Sequence, residues 1–302
     1  MILVPLPGMT SLANGIARHL DAQVLPLDLH RFPDGESLVT LPDGLSGAEI
    51  ALVASLRDPD RLALPLRFAA ATARELGAVR VGLVAPYLGY MRQDRRFEAG
   101  QAISALLFAQ FLGESFEWLV TVDPHLHRIA QLDDVFPMPT VRVPSASLIA
   151  AWVASEVPDA ILLGPDSESQ QWVADVAQMA GLAYEVLRKR RIGDRQVEVS
   201  APEGADLSRG TPVILDDIAS SGRTMVRAVE RVLAAGAKPP VCVLIHAVFS
   251  DRAFDDILTA GAARVVTTDT IPHPSNAISV AECLAAAIQA AAFEGLAKEI
   301  RS

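Results

Sequence analysis

The chain is short of positive charge, of cysteine and of lysine. Lys and Arg number 26 against 36 Asp and Glu, for a net charge of −10. A sequence-independent nucleic-acid binder needs a basic surface to displace counterions from phosphates. No such surplus exists here, so nucleic acid is excluded as a partner, and the basic residues that matter must act locally on a small anion. The two cysteines are Cys242, in an apolar run, and Cys283, in an Ala-rich helical pattern. Neither has a metal-type or redox-type neighbour, so both read as buried thiols in a reducing compartment. The first residues show no basic segment followed by an apolar core. The most apolar late stretch, 281–298, is broken by Glu282, Gln289 and Glu294. The expectation is a cytoplasmic protein with no signal peptide and no membrane span.

Apolar residues are plentiful: 51% of 302 residues are hydrophobic and 21% charged, a globular composition of a length that suits two medium α/β domains. The mean hydropathy of +0.30 is high for a soluble monomer, so a homo-oligomer is expected to cover part of the surface. Short apolar runs at 81–85, 118–122, 160–163, 213–215, 241–247 and 265–268 read as buried strands. Between them lie helical spacings. Trp172, Val173, Val176 and Ala177 form one face, stopped by Gly181; Val226, Val229, Val232 and Leu233 form another, stopped by Gly236.

Strand–helix alternation predicts two doubly wound α/β domains, each with a mostly parallel sheet flanked by helices. A strand–turn–helix order at 3–20 returns at 161–181, and a strand running into a polar loop at 83–96 returns at 213–224. The domains are expected at 1–143 and 144–302, with the final helix, about 279–302, free to pack back on the first. Residues 188–209 have no clear period and read as a hairpin or a basic loop. In parallel sheets ligands gather at the C-terminal strand ends, so the chemistry is sought in the loops there.

The strongest signal is Val213–Thr224, VILDDIASSGRT. An apolar strand meets two carboxylates, Asp216 and Asp217. A turn of Ser220, Ser221 and Gly222 follows, and Arg223 and Thr224 open an amphipathic helix. Backbone N–H groups at such a turn, aided by the helix dipole, cradle an anion, while paired carboxylates suit sugar hydroxyls and a divalent cation. An ordinary strand-to-helix turn needs one capping Asp, not two at a strand end.

This segment resembles the ribose-phosphate loop of the type I phosphoribosyltransferase fold. Further stretches, in order, resemble the ribose-phosphate pyrophosphokinase family: Arg31–Glu36 (RFPDGE), Pro86–Arg95 (PYLGYMRQDR), Val122–His125 (VDPH), Lys189–Arg191 (KRR) and Thr268–Pro272 (TDTIP). The resemblance implies phosphoribosyltransferase-type domains and a Mg²⁺-dependent transfer of diphosphate from ATP to ribose 5-phosphate. It implies ATP binding by Phe32, Asp34, Glu36, Arg92, Gln93, Asp94 and His125, with the Phe32–Glu36 loop near a subunit interface. Sugar-phosphate binding falls to Asp216, Asp217, Ser220, Ser221, Gly222, Arg223 and Thr224. Metal binding falls to His125 and Asp166, and catalysis to Lys189 and Arg191 on a closing loop.

Taken without the resemblance, several of these residues have plainer readings. Arg31–Glu36 is a turn between strands, Arg92–Asp94 a solvated charged turn, and His125 with His127 a surface loop. Lys189 is one of only three lysines beside 23 arginines, which sets it apart mildly.

The chain departs from the family pattern after Asp166. Ser167, Glu168, Ser169 and Gln170 stand where the family has small residues that admit a diphosphate. Arg223 replaces a common glycine, and Ser220 replaces an aspartate in a manner more like archaeal members. Three alternatives stay open: a phosphoribosyltransferase that consumes the diphosphate, a non-catalytic nucleotide-binding regulator, and a diphosphokinase with another acceptor.

Overall fold

The computed structural model describes residues 1–126, 128–187, 189–192, 196–199 and 207–299, with backbone alone for 189–192, 196–199, 208 and 293–299. It divides into two compact units, Met1–Val143 with Ala281–Ser302, and Pro144–Val280.

The first unit runs β1 (Ile2–Pro5), α1 (Thr10–Ala17), β2 (Gln23–Val24), β3 (Asp28–Arg31), β4 (Ser37–Thr40), β5 (Glu49–Val53), α2 (Pro59–Glu75), β6 (Arg80–Ala85), α3 (Ser104–Gly113), β7 (Leu119–Val122) and β8 (Thr140–Val143). Its sheet has the order β2-β1-β5-β6-β7-β8, all parallel, and β3-β4 form a separate antiparallel hairpin. The strands β1 and β6 are buried along their whole length, as expected of a parallel sheet covered on both faces.

The second unit runs α4 (Ala146–Glu156), β9 (Ala160–Gly164), α5 (Gln170–Ala180), β10 (Tyr184–Val186), β11 (Lys189–Ile192), β12 (Gln196–Val199), β13 (Thr211–Ile218), α6 (Arg223–Ala234), β14 (Val241–His246), α7 (Ala253–Thr259), β15 (Arg264–Thr268) and β16 (Asn276–Ile278). Its sheet has the order β10-β9-β13-β14-β15-β16, again all parallel, with β11-β12 a separate antiparallel hairpin. Each strand stands eight places after its counterpart in the first unit, so the two sheets have one plan. The hairpins fall at the same step of that plan.

Helix stops follow the glycines. Gly181 ends α5 in the left-handed region at φ 65°, and Gly236 lies two residues past α6 at φ 79°. The inner face of α6, Met225, Ala228, Val229 and Val232, has the spacing of one apolar stripe. The last helix, α8 (Ala281–Glu299), packs on α1, β7 and β8 through Leu284, Ala285, Ile288 and Ala291. Buried Arg80 fastens it, donating to the carbonyl of Ala292 at 3.0 Å and to Glu49 at 3.1 Å.

Candidate active site

In the second unit, the sheet extends further than the apolar run predicts. Strand β13 carries on through Asp216 and Asp217, with Asp216 in register with Leu244 of β14. Each carboxylate binds the next amide: Asp217 N–H donates to Asp216 Oδ1 (2.9 Å) and Ile218 N–H to Asp217 Oδ1 (2.8 Å). Asp217 is buried, as is Asp166, which follows the neighbouring strand β9. Burial, then the charges of Asp217 and Asp166, pushes the Asp216 carboxyl well above the usual carboxylate range. Three carboxylates at one edge of a sheet are an electrostatic load that a proton or a cation relieves.

The turn after β13 leads into α6 through a left-handed glycine. Gly222 adopts φ 70°, and its N–H donates to the carbonyl of Ala219 at 3.2 Å. Among the described residues, no side chain caps the first turn of α6. Its leading N–H groups therefore remain for a ligand, and the helix dipole favours negative charge there. Ser221 and Arg223 are exposed, while Ser220 and Thr224 are partly so.

The departure after Asp166 has a structural reason. Ser169 Oγ donates to the carbonyl of Asp166 at 2.6 Å, and Glu168 N–H donates to Asp166 Oδ1 at 3.0 Å. The loop is closed by its own side chains. A Cβ on Gly164 would lie 2.6 Å from Ser169 Oγ, so glycine makes room for the serine. Ser167 and Glu168 face solvent. Lys189 and Arg191 occupy alternate positions of β11, opposite Val199 and Val197 of β12, so this stretch is a hairpin in its backbone.

In the first unit, the predicted residues sit in two loops and one hairpin. The loop after β6 is anchored at many points. A Cβ on Gly89 would meet the carbonyl of Leu56 at 2.7 Å, and Tyr90, at φ 68°, donates its hydroxyl to Asp60. That bond, with burial and the Asp60 and Asp58 charges, raises the Tyr90 pKa. Gln93 is tied to the start of α3: its Oε1 accepts from Ser104 Oγ at 2.6 Å, and its carbonyl from Ala105 N–H at 3.2 Å. Arg92 is exposed. The Asp94 carboxylate is buried and binds Arg128, from the loop after β7.

That second loop starts with strain. Asp123 has φ 29°, and its buried carboxylate accepts from Arg142 of β8 at 2.8 Å. Pro124 is buried and His125 partly so. The Arg31–Glu36 turn joins β3 to β4, with Phe32 N–H bonded to the carbonyl of Glu36 at 2.9 Å and Gly35 at φ 93°. Asp34 spends one oxygen on the Glu36 amide, and Phe32 packs edge-on to His30. Phe32, Asp34 and Glu36 are exposed.

Arg128 and Arg142, which hold these two loops, carry no sequence signal of their own. Their partners lie 34 and 19 residues away, too far for any local pattern. Among the described residues, no three His, Cys, Asp or Glu side chains are grouped as a metal cage. Mg²⁺ commonly takes only one or two carboxylates, water and substrate phosphates. The raised Asp216 carboxyl beside Asp217 and Asp166 has the chemistry of such a site.

Two family models match the chain, one within each unit. The model for the N-terminal domain of ribose phosphate pyrophosphokinase matches residues 1–115, and the phosphoribosyl transferase domain model matches 145–280. A ribose-phosphate pyrophosphokinase of Methanopyrus kandleri is 32% identical over 292 residues, covering 96% of this chain and 99% of the relative. The chain belongs to the ribose-phosphate pyrophosphokinase family.

Another member, from Thermococcus kodakarensis, is 33% identical over 264 residues, covering 87% of this chain and 92% of its own. The crystal structure of phosphoribosylpyrophosphate synthetase from Mycobacterium smegmatis shares the fold, with a TM-score of 0.81 over 97% of this chain and 99% of that one, at 24% identity. Two phosphoribosyltransferase-type domains, as the motifs implied, are thus established. No helix among the described residues is long and apolar enough to cross a membrane.

Proposed function

We propose that this chain transfers the β,γ-diphosphoryl group of ATP to O1 of ribose 5-phosphate, giving 5-phosphoribosyl 1-diphosphate and AMP. One observation carries the reading: a phosphate cradle behind paired carboxylates occurs in a chain whose other half matches the N-terminal pyrophosphokinase domain. A plain phosphoribosyltransferase has no need of that second half.

The nucleophile is the sugar's own anomeric hydroxyl. The O1–Pβ bond forms as the Pβ–O bond to the α-phosphate breaks, AMP leaves with the bonding pair, and the hydroxyl proton passes to water. Positioning and charge stabilisation then carry the catalysis, as in phosphoryl transfer generally. The amides and hydroxyls of Ser220, Ser221, Gly222, Arg223 and Thr224 hold the 5-phosphate. Asp216 and Asp217 accept from the ribose hydroxyls. Arg92 meets phosphate, and Phe32 offers its exposed face to the purine. Gln93 has its oxygen engaged by Ser104 and contributes its amide N–H; Asp34 and Glu36 serve as acceptors. Lys189 and Arg191 stabilise charge at the transferring phosphorus. Asp94 acts by holding Arg128 and, with it, the loop that bears His125.

His125 of the first unit and Asp166 of the second would each offer a donor to Mg²⁺, with Asp216 and Asp217 for a second ion, and the metal would shield the polyphosphate charge. Ser167 and Glu168 narrow the diphosphate end without closing it, because both side chains point to solvent.

The chain works as a homo-oligomer with the Phe32–Glu36 hairpin near a subunit interface. Support comes from the exposed apolar residues Phe32, Leu38, Leu64 and Phe68 of the first unit. A reaction that draws on ATP belongs in the cytoplasm, and two free thiols agree with a reducing compartment.

The test is AMP release from ATP with Mg²⁺, with and without ribose 5-phosphate, following the sugar by ³¹P NMR. Sugar-dependent AMP and a new diphosphate ester are expected. Tight ATP binding without turnover would overturn the reading in favour of a regulatory homologue.

A further inference from the structure

The phosphate loop is held from outside by a residue with no part in the scheme above. After β14 the chain turns through Ala247–Arg252 into α7. Within that turn Ser250 donates twice to a single acceptor, the carbonyl of Ser220: its N–H lies 2.8 Å away and its Oγ 2.7 Å. Three residues on, Ala253 meets the same loop from the side. A Cβ on Gly222 would stand 3.2 Å from the Ala253 Cβ and carbonyl oxygen. Both contacts belong to one turn, because Ala253 N–H donates to the Ser250 carbonyl at 2.9 Å. Asp251, between them, is held at φ 41°, a conformation that a non-glycine residue keeps only where its surroundings enforce it.

The base of this turn is fixed as well. His246 is buried at the end of β14, paired in register with Ile218 at the end of β13. Its Nδ1 is 2.8 Å from Thr270 Oγ1, and its carbonyl accepts from Val248 N–H at 2.8 Å. The brace therefore grows from the strand beside the one that bears Asp216 and Asp217.

What the brace does follows from the peptide unit. Among the described residues no peptide is cis. In a trans peptide the C=O of one residue and the N–H of the next point in opposite directions. Drawing the Ser220 carbonyl onto Ser250 turns the Ser221 N–H the other way. A carbonyl in an anion cradle would repel phosphate, whereas an N–H would bind it. We propose that Ser250 is a positioning residue for sugar-phosphate binding: it pins the Ser220 carbonyl out of the cradle and so aims the Ser221 N–H at the 5-phosphate. This rests on the reading of residues 220–224 as the ribose 5-phosphate site.

The experiment compares wild type, Ser250→Ala, Ser250→Thr and Ala253→Val. Calorimetric titration with ribose 5-phosphate in the absence of ATP is set beside KM for each substrate and Tm. Ser250→Ala keeps its backbone bond and loses one hydroxyl donor, so its affinity for ribose 5-phosphate should fall roughly fivefold to tenfold. KM for ATP and Tm should hold. Ser250→Thr should restore most of the affinity, and Ala253→Val, which crowds Gly222, should weaken the same ligand selectively. Unchanged sugar-phosphate binding by Ser250→Ala overturns the proposal. So does an equal rise in both KM values with a lowered Tm, which would make the serine a general prop. Wild type that binds no ribose 5-phosphate refutes the functional reading itself, and is told apart because it needs no variant.

Discussion

Asp94 binds Arg128 by both backbone and side chain. Its carboxylate accepts the Arg128 amide N–H at 3.2 Å and the guanidinium at 3.1 Å. The Asp94 side chain is 2% exposed and that of Arg128 40%. The pair ties the loop that carries Arg92 to the loop that carries His125. Asp94→Ala should therefore loosen two loops at once. ATP affinity should drop about tenfold or more while ribose 5-phosphate affinity holds, and stability should fall by about 1–3 kcal/mol through the orphaned donors. Titration with each ligand, beside urea unfolding, checks this. Equal losses for both ligands would count against a local tie.

Lys189 is assigned to charge stabilisation at the transferring phosphorus. An interaction made mainly in the transition state lowers kcat when removed and leaves ground-state binding largely intact. Lys189→Ala should lower kcat by roughly 100-fold or more, with KM for both substrates within about threefold. Steady-state kinetics decide it, and a near-normal kcat removes the lysine from the mechanism.

The Asp216 carboxyl, raised by burial and by Asp217 and Asp166, predicts a pH slope in the metal-free protein. Between the ordinary carboxylate value and the raised folded value, the native state holds a proton that the unfolded chain has released. Stability from this group is complete below that window and is lost as pH rises through it. Asp216→Asn should flatten the slope and raise the metal-free Tm at neutral pH. Mg²⁺ should raise the Tm of wild type more than that of the variant. Thermal melts across pH, with and without Mg²⁺, give the readout, and an Asn variant less stable than wild type at neutral pH would contradict it.

Gly82 of β6 lies under Trp118. A Cβ there would stand 1.9 Å from the indole Cε2, and the Trp118 side chain is fully buried. Gly82→Ala should cost roughly 3 kcal/mol or more from overpacking, measured by chemical denaturation. A double variant with Trp118→Leu should be less damaged than the sum of its parts. Strict additivity would show that the two sites do not meet.

Much of the fold was legible because parallel strands announce themselves. The runs near 81–85, 160–163 and 241–247 form the almost wholly buried strands β6, β9 and β14, and Gly181 and Gly236 stop α5 and α6. The strand β5 was overlooked although four of its five residues are buried, because its start at Glu49 hides the run. Short or outlying strands such as β2 and β10 carry too little apolar surface to stand out. Aspartate disfavours strands, so the true length of β13 through Asp216 and Asp217 was concealed as well. In the candidate site, the turn proposed for phosphate was picked out by local chemistry alone. Arg128, Arg142 and Ser250 were not, since each acts on a residue far along the chain and looks like an ordinary surface side chain.

The shared plan of the two sheets has a historical reading. A chain that repeats one scaffold carries every binding place twice, and the two copies are free to diverge. The turn between β13 and α6 keeps open amides at the head of its helix. Its counterpart between β5 and α2 enters its helix with Pro59, which has no N–H, flanked by Asp58 and Asp60, so that copy has become hostile to anions. The hairpin bearing Phe32 and the hairpin bearing Lys189 fall at the same step of the two strand orders. The two units thus repeat one strand order while the helix entries after β5 and β13 differ in charge and in open amides.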